Sequence, residues 1–415
     1  MDTIQEKSLD QLTKLIQSQE CADLVVAWQT KLTSLKAIAP EEGGDGEMLK
    51  AAWIKEELAR FNLSTVDFYA KDSRVSAGVR PNLIAQIKGD LPKTLWIFGH
   101  MDVVGVGDLA AWKHDPFIVQ KNGDWLSGRG VEDNQQAIVS MLILAWAMDK
   151  CQIRPHLSLG LTFMADEENG SRFGLEYILD QASDYFKKDD IYLVPDFGSP
   201  DGSKIQIAEK SVLWIKVEVI GQQCHASTPA KGKNAFLAAA KLITHLDQNL
   251  ATLFPQKNDL FDPNISTITV TKHLANVSGV NIVPGREVFY LDCRILPEVT
   301  STDAFTLITN LLDAYANKLG VSLKCEIVHH HKASFVDAEN PTIPSLKKAI
   351  KKIYNVEPKL IGVGGGTVAA QLRERGLPAF VWSCIENSCH QPNEHSSIRA
   401  TIKDSLVFAN LLFDI

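Results

Sequence analysis

The sequence predicts an α/β protein with a mixed, largely parallel sheet, interrupted by an inserted ferredoxin-like α+β domain. Apolar strand-like segments alternate with helical segments up to residue 210, a pattern typical of parallel sheets. From Leu213 to Val219 apolar and polar residues alternate one by one, which indicates a strand with one exposed face. After His331 the first pattern returns, so the second domain lies inside the first.

The first part of the chain begins with two amphipathic segments and continues as alternating strands and helices. Apolar residues at helical spacing predict the helices, and short apolar runs predict the strands. The predicted helices cover residues 8–35, 47–61 and 134–150, and the predicted strands cover 82–87, 94–98, 157–164 and 191–194.

The predicted insert, residues 211–330, has the order strand, helix, strand, strand, helix, strand, which is that of a ferredoxin-like unit. Its predicted elements are a strand at 213–219, a helix at 234–250, strands at 265–274 and 287–294, a helix at 302–319 and a strand at 321–327. The α/β pattern then resumes with helices at 344–354 and 367–375 and strands at 360–363 and 379–383. We therefore expect one α/β domain of residues 1–210 and 331–415 around the insert.

Composition limits the classes of partner. The 415 residues carry a net charge of −8, so there is no basic field to hold nucleic acid or an anionic membrane. The seven cysteines are scattered and form no C-x-x-C motif, which predicts reduced thiols and a cytoplasmic protein. Met1–Lys7 has no signal-peptide pattern, and no apolar run reaches the ~18 residues that a membrane span needs.

Acids and histidines follow several predicted strands where each strand ends. In open α/β sheets the functional groups collect at the carboxyl ends of the strands. Two imidazoles and three carboxylates among these residues form a donor set suited to zinc. The residues are His100 and Asp102 after 94–98, Asp133 ahead of a helix, Glu167 and Glu168 after 157–164, Asp196 after 191–194, and His395 after 379–383.

The spacing of these residues suggests different roles. His100 and Asp102 point the same way in an extended segment, so Asp102 can accept the second ring N–H of His100. Of the adjacent acids, one can bind a metal while the other stays free as a general base. Such a set can hold two metal ions ~3.5–4 Å apart, bridged by one carboxylate.

The motifs as a set resemble one known family. Gly99–Val104, Gly128–Gly130 with Asp133, Asp166–Gly170 and the late His395 resemble the zinc peptidase family of acetylornithine deacetylase, succinyl-diaminopimelate desuccinylase, aminoacylase and carboxypeptidase G. The resemblance spans about residues 45–400, with the motifs in the family's order. It implies a catalytic α/β domain with an inserted ferredoxin-like lid or dimerisation domain.

The resemblance implies a ligand set for two zinc ions per chain, with Co²⁺ or Mn²⁺ as possible substitutes. His100 and Asp196 would hold one zinc, Glu168 and His395 would hold the other, and Asp133 would bridge them.

The resemblance also implies the catalytic and substrate-binding residues. Glu167 would be the general base and Asp102 would orient His100. His225, in the segment Gly221–Ser227, would stabilise the oxyanion, and in dimeric relatives this His serves the neighbouring subunit. We therefore expect a homodimer formed through the insert. The residues implied for substrate binding are Asn281, Arg294, Gly365 and Gly366.

The expected reaction is hydrolysis of an amide or peptide bond in a small carboxylate-bearing substrate, as by a dipeptidase or carboxypeptidase. The alternative is an N-acyl amino acid deacylase. Gly105, Asn134–Gln136 and Val368 depart from the common deacetylase pattern, and Asp196 in place of Glu favours a peptidase.

Two further classes of protein fit these residues less well. A metal-binding protein without catalysis would not need Glu167 beside a full ligand set, and a two-metal phosphatase would need more cationic groups. His329–His331 is interpreted as the return from the insert. Cys384, Cys389 and His390 are not interpreted as a separate zinc site.

Overall fold

The structure is a computed structural model that describes residues 3–413, and in it the chain divides into two units. The first unit comprises the chain up to Ile207, Val336–Leu360 and the chain from Thr367 onwards, and the second comprises Ala208–Phe335 and Ile361–Gly366. The main stretch of the second unit thus runs from 208 to 335, where 211–330 was expected, and the unit also includes Ile361–Gly366, which was expected in the first. Met1 and Asp2, on which the signal-peptide expectation partly rests, lie outside the described residues.

The elements follow the chain in this order. The helices are α1 Thr3–Ile16, α2 Gln19–Ser34, α3 Met48–Arg60, α4 Gln135–Cys151, α5 Leu175–Gln181, α6 Ala235–Leu253, α7 Ser301–Leu319, α8 Thr342–Tyr354, α9 Val368–Glu374 and α10 Ile398–Phe413. The strands are β1 Thr65–Lys71, β2 Val79–Ile87, β3 Thr94–His100, β4 Gln120–Asn122, β5 Trp125–Ser127, β6 Ser158–Met164, β7 Ile191–Val194, β8 Lys204–Glu209, β9 Ser211–Ile220, β10 Cys224–His225, β11 Thr267–His273, β12 Ile282–Val283, β13 Arg286–Ile295, β14 Ser322–His331, β15 Ser334–Phe335, β16 Lys359–Val363, β17 Ala379–Val381 and β18 His395–Ser397.

The largest sheet is mixed, as predicted. Its strand order is β1-β2-β6-β3-β7-β17-β8-β15, and β16 also pairs with β8. The central strands β6, β3, β7 and β17 are parallel, whereas the pairings of β1 with β2, β2 with β6, β17 with β8 and β15 with β8 are antiparallel. The parallel strands β6, β3 and β7 end at the same edge of the sheet. The candidate site lies at this edge.

The centre of this sheet is apolar on both faces. Every residue of β3 is buried, as expected for a parallel strand covered on both sides. The helix α4 is buried at every position from Gln135 to Met148. A helix that is apolar all round belongs in the interior of a protein. Burial on all sides therefore holds the start of α4, next to Asp133, in a fixed place.

The second unit contains the predicted ferredoxin-like order. Its four long strands form an antiparallel sheet in the order β11-β13-β9-β14. The alternating residues Leu213, Ile215, Val217 and Val219 are fully buried in one cluster with residues of α6 and α7. The opposite face of β9 carries its more exposed residues, such as Trp214. The period-two pattern in the sequence therefore predicted the buried face correctly.

The strands β1 and β8 and the helices α5 and α10 were not predicted from the sequence. The helix expected at 8–35 is two helices, because the hydroxyl of Ser18 accepts the N–H of Cys21 and begins α2 there. The helix α10 is buried over most of its length. No helix within residues 3–413 combines the length and the apolar character needed to cross a bilayer.

Candidate metal centre

Three neighbouring parallel strands deliver side chains to one edge of the sheet. β3 lies between β6 and β7, and its last residue, His100, is paired with Met164 at the end of β6. Glu167 and Glu168 follow β6 in a short turn, and Asp196 follows β7. Since the carboxyl ends of parallel strands meet at one edge, these side chains converge there.

The first group of possible ligands is His100, Asp133 and Asp196. The Nε2 atom of His100 lies 2.8 Å from Oδ1 of Asp133 and 3.4 Å from Oδ1 of Asp196. One ligand atom from each residue lies within 4.8 Å of the others. The amide of Asn134 also donates to Oδ1 of Asp196 at 2.8 Å and fixes that carboxylate. One imidazole and two carboxylates thus face a common point.

The second group is Asp133, Glu168 and His390. The Nε2 atom of His390 lies 3.1 Å from Oδ2 of Asp133 and 3.0 Å from Oε2 of Glu168. These ligand atoms also lie within 4.8 Å of one another. Asp133 belongs to both groups, with Oδ1 towards His100 and Oδ2 towards His390. That is the arrangement of a carboxylate that bridges two cations.

His395 does not occupy the place that the sequence analysis gave it, and His390 takes that place. His395 begins β18, where it pairs with Ser127 of β5, and its ring packs against Trp125 with centroids 5.4 Å apart. His390 lies in the preceding loop with a φ of 61°, a left-handed turn that the spacing of residues does not reveal. We therefore replace His395 with His390 in the ligand set.

The neighbouring cysteines belong to neither group, so His390 lies in the main centre and not in a separate zinc site with Cys384 and Cys389. The buried Cys384 points its thiol towards the carbonyl of Pro200, and burial raises the pKa of the Cys389 thiol to about 12. Nothing local in the sequence marks His390 rather than His395 as the ligand.

Asp102 fixes both the imidazole and the turn with the two glutamates. The Nδ1 atom of His100 lies 3.1 Å from the backbone carbonyl of Asp102 and 3.5 Å from its Oδ1. The carboxylate of Asp102 accepts the backbone N–H groups of Glu167 at 3.0 Å and Glu168 at 3.1 Å. The expected orienting role therefore acts chiefly through the carbonyl of Asp102, and its carboxylate holds the glutamate turn.

A buried cluster of charged side chains holds the residue that precedes the turn with Glu167 and Glu168. Asp166, which precedes Glu167, has a φ of 62° and lies with its Oδ1 3.4 Å from Nη1 of Arg80. Arg80 is fully buried and donates through Nε to Glu47 at 2.7 Å. Glu47 also accepts the backbone N–H of Asp166 at 3.3 Å. This cluster fixes Asp166, the residue from which the turn with Glu167 and Glu168 begins.

The electrostatics of the cluster favour a cation. Burial, with the nearby charge of Asp133, raises the pKa of Glu168 to about 7. Burial and the charge of Asp196 raise the pKa of Glu167 well above its usual range. Hydrogen bonds to Asp133 and Glu168 raise the pKa of His390 to about 10. Several carboxylates held together out of water are costly without positive charge, so the donor set fits bound divalent cations.

In the second unit, His225 and Asn281 are brought together. β10, which ends at His225, pairs antiparallel with β12, and the N–H of Ala226 donates to the carbonyl of Asn281 at 2.8 Å. The Nδ1 atom of His225 lies 2.8 Å from Oγ of Ser227. Both His225 and Asn281 are exposed. The structure thus pairs two residues that lie far apart in sequence and were both expected to serve a substrate.

Arg294 and the glycine-rich turn also meet in the second unit. Arg294 donates through Nε to Oδ1 of Asp292 at 2.6 Å and through Nη1 to the carbonyl of Gly364 at 2.7 Å. Gly365 and Gly366 continue that turn, and an added Cβ would have open space at Gly365 and meet only a carboxylate oxygen, at 3.8 Å, at Gly366. No neighbouring side chain therefore blocks the space next to Gly365 and Gly366.

Comparison with known proteins shows which family this chain resembles. Residues 96–414 match peptidase family M20/M25/M40. An uncharacterized metallohydrolase of Methanococcus maripaludis is 35% identical over 409 residues, which cover 94% of this chain and 99% of that protein. The succinyl-diaminopimelate desuccinylase of Dinoroseobacter shibae is 27% identical and covers 94% of this chain and 98% of the relative.

Solved structures share the fold over the whole length. Human carnosine dipeptidase 1 superposes with a TM-score of 0.72 at 15% identity and covers 98% of both chains. A dinuclear metal-binding peptidase of the M20 family from Bacillus subtilis has a TM-score of 0.66 at 14% identity and covers 95% of this chain and 98% of its own. At 15% and 14% identity, these two comparisons show a shared fold and no more.

Proposed function

Because the chain belongs to peptidase family M20/M25/M40 and is a metal-dependent hydrolase, we propose that it is a two-zinc exopeptidase. Its substrate would be a small peptide with a free carboxylate, cleaved as by a dipeptidase or carboxypeptidase. The observation that carries the proposal is the pair of ligand groups that share Asp133, with Glu167 beside them. The seven free cysteines support a reducing, cytoplasmic location.

The chain's own residues define where the metal would bind. His100 and Asp196 would hold one ion, Glu168 and His390 the other, and Asp133 would contact both. Mixed nitrogen and oxygen donors suit zinc, and Co²⁺ or Mn²⁺ could replace it. When bound, two such ions lower the pKa of a water molecule and polarise a carbonyl group. The dinuclear peptidase of Bacillus subtilis supports two ions rather than one.

Glu167 would move the proton. It follows the same strand as Glu168, but it belongs to neither ligand group and so remains free to accept a proton from the attacking water. It would then pass that proton to the leaving amine. Asp102 keeps Glu167 in place through the 3.0 Å bond to its backbone N–H. His225 would stabilise the oxyanion, a contribution that is worth about 3–4 kcal/mol in comparable sites.

Residues of the second unit would grip the substrate. Arg294, already fixed by Asp292 and Gly364, keeps N–H groups that can donate to a substrate carboxylate. The backbone amides of Gly365 and Gly366 would add donors, and Asn281 would act beside His225. Substrates with a free carboxylate would therefore be preferred over blocked ones.

The second candidate is an N-acyl amino acid deacylase. The 27% identity to a desuccinylase, over nearly the whole of both chains, favours it. The dipeptidase fold of the human protein favours the first candidate. Both reactions cleave an amide bond and release a free amine, so the metal ligands and Glu167 would have the same roles in each.

A substrate screen separates the two candidates. Zinc-loaded protein is incubated with a panel of dipeptides and a panel of N-acyl amino acids, and the released primary amine is measured. We expect faster amine release from dipeptides with a free carboxylate than from the same peptides blocked as amides. Release only from the N-acyl panel would select the deacylase, and phosphate release from phosphate esters without amine release would contradict both.

We further propose that the chain pairs with a second copy of itself through the second unit. β11 is an edge strand of its sheet, and its outer edge pairs with no strand among residues 3–413. A groove of about 260 Å³ lies between β11 and α6, lined by residues that include Phe236 and Val270, which are 55% and 39% exposed. An open strand edge beside an apolar helix face suits two-fold pairing with the same surface.

Mixed dimers would test whether His225 serves the partner subunit. Glu167→Ala and His225→Ala chains should each be nearly inactive alone. If His225 acts across the dimer, a mixed dimer has one site with both defects and one intact site. Random reassociation of equal amounts makes about half of the dimers mixed, so about a quarter of the parent activity should return.

The measurement is turnover after the two variants are unfolded and refolded together. Each variant refolded alone is the control, and subunit exchange is verified with an affinity tag on one chain. If dimers exchange and no activity returns, His225 does not act across the interface.

A further inference from the structure

Two buried glutamates join the segment that carries Asp133 to the loop that carries His390. Glu132 is 3% exposed and Glu394 is fully buried, and neither belongs to the two ligand groups. We call residues 129–133 the aspartate segment and residues 386–394 the histidine loop. Each glutamate lies in one of these stretches and bonds to the other.

Glu132 reaches from the aspartate segment into the histidine loop. Its carboxylate accepts the backbone N–H groups of Glu386 and Ser388 and also the hydroxyl of Ser388, at 2.7 Å. Oγ of Ser388 in turn accepts the N–H of His395 at 3.0 Å. The loop is thus held on the side that precedes His390 and at the strand that follows it.

Glu394 reaches in the opposite direction. Its Oε1 accepts the backbone N–H groups of Glu132 and Asp133, each at 3.0 Å, and its Oε2 accepts that of Gly130 at 2.9 Å. Nη1 of Arg129 donates to the same Oε2 at 2.8 Å. Four donors converge on one buried carboxylate, and one of them is the backbone N–H of the shared ligand itself.

These bonds join the two stretches that carry Asp133 and His390 of the second ligand group. Asp133 and His390 lie more than 250 residues apart in sequence, and a metal site needs its ligands held within roughly 0.5 Å of the right geometry. A buried carboxylate is tolerated only when donors surround it, and both glutamates have such donors. We propose that Glu132 and Glu394 form a reciprocal brace that sets the distance between Asp133 and His390 and thereby the affinity for the metal ion between them. This inference rests on the proposed function, since it concerns the same centre.

Metal titration tests the brace without relying on turnover. Metal-free parent protein, Glu132→Gln, Glu394→Gln and His390→Ala are titrated with Co²⁺, and the visible absorption of bound cobalt is recorded. His390→Ala identifies the equivalent that belongs to the second group. We expect Glu132→Gln and Glu394→Gln to weaken that equivalent by about 10–100-fold, the usual effect of losing an outer partner of a ligand, and to alter its spectrum. The glutamine amide keeps the size of the side chain but presents donors to backbone N–H groups.

Matched variants separate positioning from general damage. Glu57→Gln removes a buried carboxylate on α3, paired there with Arg60, and should leave cobalt affinity unchanged. Ser388→Ala removes the hydroxyl bond to Glu132 and the acceptor for the N–H of His395 but keeps both backbone bonds to Glu132, so it should weaken the same equivalent by about threefold to tenfold, less than loss of the whole partner. It keeps the test decisive if a glutamine variant fails to fold.

The outcomes are distinguishable. Two cobalt ions bound by the parent and by both glutamine variants with equal affinity and equal spectra would overturn the brace alone. Lower melting temperature of the metal-free glutamine variants with unchanged cobalt affinity would overturn it as well, since the role would then be merely structural. A parent chain that binds no cobalt would overturn the proposed function together with the brace.

Discussion

Glu167→Gln is expected to lower kcat for amide hydrolysis by about 10²–10⁴-fold, because the glutamine amide cannot accept the proton of the attacking water. Metal content should stay at the parent level, since Glu167 belongs to neither ligand group. The backbone N–H of residue 167 still bonds to Asp102, so the turn should keep its shape. The measurement is kcat together with metal content by elemental analysis.

Two variants serve as controls for this prediction. Glu168→Gln should lower metal occupancy, because Glu168 lies in the second group. Glu176→Gln changes an exposed glutamate of α5 and should change neither quantity. If Glu167→Gln keeps more than about a tenth of the parent rate, a loss of less than ~1.4 kcal/mol in transition-state stabilisation, another residue is the base.

His390→Ala is expected to remove one of two bound metal ions and most of the activity. His390 lies about 3 Å from both Asp133 and Glu168, so its loss leaves that group without its imidazole. Because loss of a mere outer partner costs about 10–100-fold in metal affinity, loss of a direct ligand should cost more than ~100-fold. Elemental analysis after dialysis should show one ion per chain where the parent shows two.

His395→Ala is the matched comparison five residues away. Its ring packs on Trp125 in the β18–β5 pair, so we expect parent metal content and only a small loss of stability. If His395→Ala loses a metal ion while His390→Ala keeps both, the ligand set of the sequence analysis is right and the corrected one is wrong.

The parts of this site that lie at strand ends could be predicted from the sequence. The apolar run of β3 is long enough to predict a buried strand, and a buried parallel strand delivers His100 to the sheet edge. The same reasoning placed Glu167, Glu168 and Asp196. These residues depend on strand positions, which apolar patterning specifies well.

The histidine of the last loop could not be predicted in the same way. His390 and His395 both follow β17, and only the left-handed turn at His390 and the pairing of His395 in β18 decide which ring faces Asp133. Hydrogen bonds across more than 250 residues of sequence hold this loop, because Glu132 accepts the N–H of Ser388 and Glu394 accepts the N–H of Asp133. Local spacing carries no such long-range information.

Another miss has a similar cause. The buried pair of Arg80 and Glu47 was missed because its partners meet only through the tertiary fold. Charged residues in a strand or helix ordinarily indicate an exposed face, so nothing local marks these two as buried.

The most direct test of the account counts metal ions and activity together. The purified chain is stripped with a chelator, assayed for amine release, and then titrated with Zn²⁺ while turnover and bound zinc are measured on the same samples. We expect no turnover in the stripped protein and full activity once occupancy approaches two zinc ions per chain. Full activity in protein that holds no divalent metal would contradict the account.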